Sequence, residues 1–418
     1  MTLAPTPWRA LAALAFRRLH VRLRGFAYTP RRADAVRPQD LARIDVCWSV
    51  SVGLAMVDTI RGASFQTRQL LLALDAGEPF RVSRALAAEA AFVATDGLRS
   101  KTHARGLIDR ARDIAQHGGG DSGLLGLIDF CDGLTHFLVG DWAQAQALST
   151  RAERQFSDIG APVSWEAASA RLFSVWSLFY LGEIAELSRR IPALVREAEA
   201  RGDLYAVTSL KSGLSNVSLL AAGDPSGARA AVREVMQRWS ATSFHFQHYW
   251  ALLSEGLIDL YEGSPTEGWN RLEAGWGALK RSQLLRIQNV RIEATFLKAR
   301  LALATGRVGV ALQARKALER EDIGWARGFA LLIAAATEPN PGEVLTQALS
   351  CFDQEGMRLF AAATRLRLSA TQAQPLREAN ARAAHAWMAT QGIVDPERMT
   401  AVLIPTLPRA SLSSGTHG

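Results

Sequence analysis

The sequence predicts an all-α protein: a tetratricopeptide-like α-solenoid of antiparallel helix pairs with a period of about 40 residues. Three observations predict it. Glycines at 140, 182, 223, 263 and 306 stand at helix-to-helix turns 42, 41, 40 and 43 residues apart. Three positions before each glycine lies a large apolar residue (Phe137, Phe179, Leu220, Leu260, Leu303), and five positions after it a mostly small one (Ala145, Leu187, Ala228, Gly268, Ala311). β signals are nearly absent, with no alternating Val/Ile/Thr runs bounded by Asn-Gly turns. A single pair of this kind cannot bury its own apolar face, so stacked neighbours must complete the core.

Residues 1–40 read as a basic amphipathic helix (7–25, PWRALAALAFRRLHVRLRG) followed by a polar link. The helix is too short and too charged to span a bilayer, and no leader cleavage site follows its apolar run. It is expected to be a first solenoid helix with an arginine-rich solvent face; weak contact with an anionic surface is the functional alternative. Residues 41–120 hold the N-terminal solenoid helices. Leu41, Ile44, Trp48, Val52 and Met56, at offsets of 3, 4, 4 and 4, mark one buried face. A helix from about Ser64 to Ala76 follows, then helices near 79–95 and 102–117. Asp58, Arg61, Gln66 and Arg68 are expected to cluster around the first junction, where mixed charges either lock a connection or take a phosphate or carboxylate.

Residues 121–322 carry the regular repeats. In Leu124–Phe156, the first half puts Leu127, Cys131, Leu134 and Leu138 on one face, Gly140 ends the helix and Asp141 caps the next. The segment 241–263 is the richest in aromatics, with Phe244, Phe246, Tyr249, Trp250 and Tyr261. His245 and His248 lie three apart, a spacing that could seat a metal, but no third ligand is evident and helix-end or core packing is the expectation. Residues 323–404 continue as C-terminal helical repeats, with helices near 324–336, 342–354, 356–369 and 376–391 and a short last one from Pro396 to about Ile404. Residues 405–418 are small and polar, and a disordered tail is expected.

Net charge is +8, of which residues 1–40 contribute +6. The remaining body is nearly neutral, which argues against a nucleic-acid groove along the solenoid. Cys47, Cys131 and Cys351 lie far apart in apolar helical patterns with no CxxC, so buried reduced thiols and a reducing cytoplasm are expected. The phosphate-loop, protein-kinase, GxSxG and HExxH motifs are missing. No cofactor or metal is therefore expected, and carboxylates at turns (Glu183, Asp203, Asp224, Glu267) are read as helix caps.

The stretches IDVCWSVSVGLAMVDTIRGASFQTRQLLLALDAGEPFRVSRALAAEAA (44–91), RLFSVWSLFYLGEIAELSRRIPALVREAEARGDLYAVTSLKSG (171–213) and FHFQHYWALLSEGLIDLYEG (244–263) carry a family resemblance. They resemble the helical-repeat C-terminal region of large bacterial serine/threonine protein kinases that also carry an AAA-type ATPase module. The likeness runs from about residue 7 to 404. It implies an interaction or sensory region, with the family's kinase and ATPase motifs outside these positions and no catalytic residue to carry over. The leading expectation is a cytoplasmic, non-catalytic solenoid that binds protein partners, kinase or ATPase modules among them, on an extended concave surface. Candidate partner-binding residues are Trp48, Arg61, Arg68, His245, His248 and Tyr249. Two alternatives stay open: a ligand-sensing module of a transcription regulator, and an enzyme with an unfamiliar site.

Overall fold

The computed structural model describes residues 7–159, 164–404 and 406–407. Among them every regular element is a helix. The expected tail lies outside the described residues except for 406 and 407. Three N-terminal helices, α1 (Pro7–Arg24), α2 (Pro38–Leu54) and α3 (Thr59–Ala76), cap a coil of helix pairs. The first coil pairs α4 (Pro79–Ala94) with α5 (Lys101–His117), α6 (Ser122–Leu138) with α7 (Trp142–Ile159), and α8 (Ser164–Leu181) with α9 (Ile184–Ala200). It goes on through the broken helix α10 (Leu204–Lys211) and α11 (Val217–Ala221) with α12 (Pro225–Arg238), then α13 (Phe246–Glu262) with α14 (Pro265–Arg281). A second coil follows: α15 (Gln288–Ala304) with α16 (Val308–Glu319), α17 (Gly324–Thr337) with α18 (Pro341–Gln354), α19 (Arg358–Ser369) with α20 (Leu376–Thr390), and α21 (Pro396–Leu403).

The sequence decides which member of a pair faces the axis. Helix α4 buries Val82, Leu86, Ala87, Ala90 and Val93 around its circumference, whereas α5 buries only the stripe Ala104, Leu107, Ile108, Ala111 and Ala115. A helix apolar on all sides goes inside, and one with a single apolar stripe stays outside. The same alternation holds for α6 and α7. All five turn glycines adopt left-handed backbone, with φ from 73° to 84°, a conformation that costs glycine nothing. The large residues before them and the small ones after them, Leu187 included, are buried. Buried carboxylates on inner helices then clamp the outer ones. Asp129 receives Arg112 of α5 at 2.8 Å and Arg151 of α7 at 2.5 Å, and Asp259 receives Arg229 of α12 at 2.8 Å and Arg271 of α14 at 3.3 Å.

The two coils touch. Gln288 at the head of α15 accepts from the Leu98 amide at 3.0 Å and donates its own amide to the Thr95 carbonyl at 3.1 Å, below the end of α4. Trp325 of α17 meets Gly140 and the Trp142 ring, at 5.7 Å between centroids. Arg358, the first residue of α19, donates to the Leu181 carbonyl and pairs with Glu183. The Val394 amide donates to the Ala221 carbonyl at 2.9 Å. The inner helices α4, α6, α8 and α11 of the first coil thus each end beside the start of an inner helix one coil later. An open concave surface was expected; instead the axis is closed, because glycine turns let the coils approach and large rings (Trp325, Phe329, Phe360) fill the space between them.

Four local expectations need correcting. The arginines of α1 make only part of a solvent face: Arg22 is exposed, but Arg17 donates to Ser64, Arg18 to the Phe92 carbonyl, and Arg24 pairs with Asp75 at 3.0 Å. Phe16, Leu19 and Leu23 point outward instead, at 70%, 53% and 80% exposure, because the neighbouring helices offer oxygen acceptors where a core helix would offer apolar surface. Helix α3 begins at Thr59, not Ser64, because Asp58 caps it through the Arg61 amide at 3.1 Å. Glu183 makes no capping bond and serves the contact with Arg358, while Asp203 and Asp224 do cap. Cys47 and Cys131 are buried free thiols, but Cys351 is only half-buried.

Glu89 on α4 gives the fold a pH dependence. It is 3% exposed, accepts from the Thr67 hydroxyl at 3.1 Å and lies 3.8 Å from Arg18. Burial outweighs both partners and raises its pKa from 4.5 to about 7. The folded chain therefore holds this proton more tightly than the unfolded one. The resulting stabilisation is complete below pH 4.5 and is lost as pH rises through about 7. Glu89→Gln is expected to stabilise the chain at pH 8 by on the order of 2 kcal/mol and to change nothing at pH 4.5, as read by urea unfolding at both values. Equal effects at both would show that Glu89 is ionised throughout.

Candidate functional site: a chamber on the coil axis

Between the cap and the second coil the axis is empty. The space amounts to about 160 Å³ and opens at a mouth, and its wall is overwhelmingly apolar. Every inner helix of the first coil contributes: Ala88 and Phe92 from α4, Leu127, Phe130 and Leu134 from α6, Trp165, Phe173 and Trp176 from α8, Tyr205 from α10, and Phe246 and Trp250 from α13. The cap closes over them with Trp48 and Val52 of α2 and Met56 in the turn after it, and α15 supplies Asn289, Val290 and Glu293.

The aromatic wall is built edge to face. Phe173 meets Phe137 at 5.1 Å and Trp176 at 4.9 Å, each near 79°, and Trp176 meets Trp250 at 4.7 Å. Such pairs are worth about 0.5–1.5 kcal/mol beyond their buried area, so the wall stands without a guest. Trp250 reaches the chamber because the fourth inner helix breaks. At Gly213 (φ +64°) a Cβ would sit 2.9 Å from the Trp250 ring, and the freed amide donates to Ser254 at 2.7 Å.

One end of the chamber is polar. Tyr180, Tyr249, Asn289 and Glu293 converge there at 0%, 3%, 8% and 5% exposure. The Tyr249 hydroxyl and the Asn289 amide nitrogen complete no hydrogen bond, and the Tyr180 hydroxyl stands beside Asn289 and Glu293 at the limit of hydrogen-bond reach. An unsatisfied buried polar group costs about 1–3 kcal/mol, so two at one place are unusual. Two helical turns beyond Glu293, Arg300 is 2% exposed, lies over the Phe296 ring at 4.6 Å and donates to the Val402 carbonyl at 3.2 Å. Burial raises the pKa of Glu293 against the pull of Arg300, and burial lowers that of Arg300 to about 10. Burial, with Glu293 nearby, pushes both tyrosines well above the usual phenol range.

Of the residues singled out in the sequence, Trp48 and Tyr249 line the chamber. The Arg84 guanidinium lies over the Trp48 ring at 5.2 Å. Arg61 pairs with Asp58 at 2.8 Å at the turn between α2 and α3, and Asp58 acts electrostatically on His245. His245 and His248 form a reciprocal cap at the start of α13, with the His245 amide donating to His248 Nδ1 at 3.0 Å. Burial lowers the pKa of both. His248 faces an outer depression with Phe244 and Met236, away from the chamber. The expected junction cluster does not form as a unit: Gln66 turns to the Ala85 carbonyl at 2.8 Å, and Arg68 acts on Arg17 and Cys47. Among the described residues no three His, Cys, Asp or Glu side chains gather as a metal site.

The polar end was missed in the sequence, although a signal existed. Glu293 and Arg300 are opposite charges seven residues apart, hence on one face, in a helix that otherwise carries charge only at Arg291 and Lys298. No known family model matches the sequence, and comparison with curated proteins finds no match. No helix among the described residues is long and apolar enough to cross a membrane.

Proposed function

We propose that the chain is a non-catalytic, ligand-responsive helical-repeat module of a bacterial signalling protein, taking an apolar small molecule into its axial chamber. The chamber itself carries this reading. Its volume is close to that of an apolar cavity of about 150 Å³ that takes benzene, and its apolar wall with a few convergent polar groups is the usual make-up of small-molecule sites. A guest would touch the cap, all five inner helices of the first coil and the first of the second, so occupancy would bear on the whole assembly. The absence of a nucleophile–base pair supports a non-catalytic role: no histidine lines the chamber, and burial pushes the Cys131 thiol pKa up, away from thiolate character. The resemblance of residues 44–91, 171–213 and 244–263 to kinase C-terminal regions supports the signalling context. The outward stripe Phe16, Leu19 and Leu23 offers a surface for a protein partner.

The test is titration with the apolar dye N-phenyl-1-naphthylamine. Saturable binding of one dye per chain is expected, with a rise in its fluorescence. Leu134 faces the chamber and is only partly buried, so Leu134→Trp should fill space without breaking α6. This variant is expected to weaken dye binding at least tenfold with its helical circular dichroism unchanged. Non-saturable binding to the native chain, or equal binding by the variant, would remove the reading.

A further inference from the structure

We infer that the guest is an uncharged, mainly apolar molecule bearing one hydroxyl or carbonyl oxygen, which Tyr180, Tyr249 and Asn289 hold at the Glu293 end of the chamber. The inference rests on the ligand-responsive reading above and specifies what the chamber selects. Three groups at that end can donate a hydrogen bond: the Tyr249 hydroxyl and the Asn289 amide have no partner, and the Tyr180 hydroxyl has Asn289 and Glu293 at its side. A guest that only filled space would leave the first two unsatisfied, so the guest must accept. An ammonium has nothing with which to accept. A carboxylate or phosphate accepts, but among the described residues no Lys, Arg or His lines the chamber to meet its charge, and Glu293 lies beside the donors. An anion is then left without a counter-charge in a desolvated site, and a cation would leave the donors unmet. A neutral oxygen meets them and brings no charge. The three donors come from α8, α13 and α15, so one oxygen atom ties two walls of the first coil to the first helix of the second.

Five naphthalenes of one ring size test this by displacement of N-phenyl-1-naphthylamine from the full chain. 2-Naphthol and 2-acetylnaphthalene are expected to displace the dye at about tenfold lower concentration than 2-ethylnaphthalene, the value of one well-made hydrogen bond. 2-Naphthoate and 2-naphthylmethylammonium are expected to be weaker than the hydrocarbon. Tyr180→Phe combined with Tyr249→Phe should bring the two oxygen compounds to within about threefold of 2-ethylnaphthalene, whose own affinity stays put. Tyr249→Phe alone should keep its melting temperature, since that hydroxyl bonds to nothing in the protein; with a partial loss of preference, it serves if the double variant is poorly folded. Equal displacement by 2-ethylnaphthalene and 2-naphthol would overturn the head-group assignment while leaving the chamber reading intact. Tightest binding by 2-naphthoate or the ammonium would overturn neutrality. Failure of all five to displace a bound dye would overturn both readings.

Discussion

Gly182→Ala is expected to destabilise the chain by about 2–5 kcal/mol, whereas Gly263→Ala, at an equivalent turn, should cost only about 1–2. Both glycines are left-handed, with φ of 78° and 76°, so the backbone penalty is shared. They differ in what lies beyond. A Cβ on Gly182 would stand 2.5 Å from the Leu359 amide nitrogen, a backbone atom of the next coil that cannot swing aside. Gly263 has nothing within 4 Å. The difference between the two variants therefore measures the contact between coils apart from the cost of the turn. Urea unfolding followed by circular dichroism reads it. Equal losses would mean that the coils contribute nothing to each other's stability.

Phe329→Ala should cost about 3–5 kcal/mol, the range for truncating a fully buried ring. Phe329 is 0% exposed and stacks on Phe296 at 3.9 Å and 8°. It also meets Phe360 at 5.0 Å and stands edge-on to Trp325 at 5.5 Å. Removing it opens a void in the packed part of the axis, where no polar group could recruit water to fill it. Phe16→Ala, at 70% exposure on α1, is the control and should stay within about 0.5 kcal/mol. A loss below about 1 kcal/mol for Phe329→Ala would show that the second coil packs loosely. The near-ultraviolet dichroism of Trp325 should fall with the same substitution.

The helices and their turns were legible because they follow local rules. Gly140 and its four counterparts, the caps Asp141, Asp203 and Asp224, and the buried stripe of 41–56 each depend on neighbours within a few positions. How tightly the solenoid coils was not legible, because Gly140 reads the same whether Trp325 lies against it or solvent does. The orientation of α1 was misread for a related reason. An arginine-rich face implies solvent unless acceptors elsewhere in the chain, here Ser64, Asp75 and Glu89, are known to be opposite. The chamber stayed hidden because a wall of Trp and Phe at helical spacing looks the same as core. Trp48 and Tyr249 stood out as aromatics, but the empty space before them is a property of seven elements together. Glu293 was the residue to question, since a lone carboxylate amid Val290, Ile292, Ala294 and Phe296 is costly unless something answers it.

That Trp325 seats against Gly140 also sets a timetable for biosynthesis. A ribosome adding about 5–20 residues per second leaves the lower rim of α6 without its neighbour for roughly ten to forty seconds. During that interval Trp142 and Tyr180 present their rings to solvent or to a chaperone, and the nascent chain cannot yet enclose a passenger. Slowing translation between codons 225 and 325 would lengthen this vulnerable window, whereas the same delay after residue 404 would be harmless.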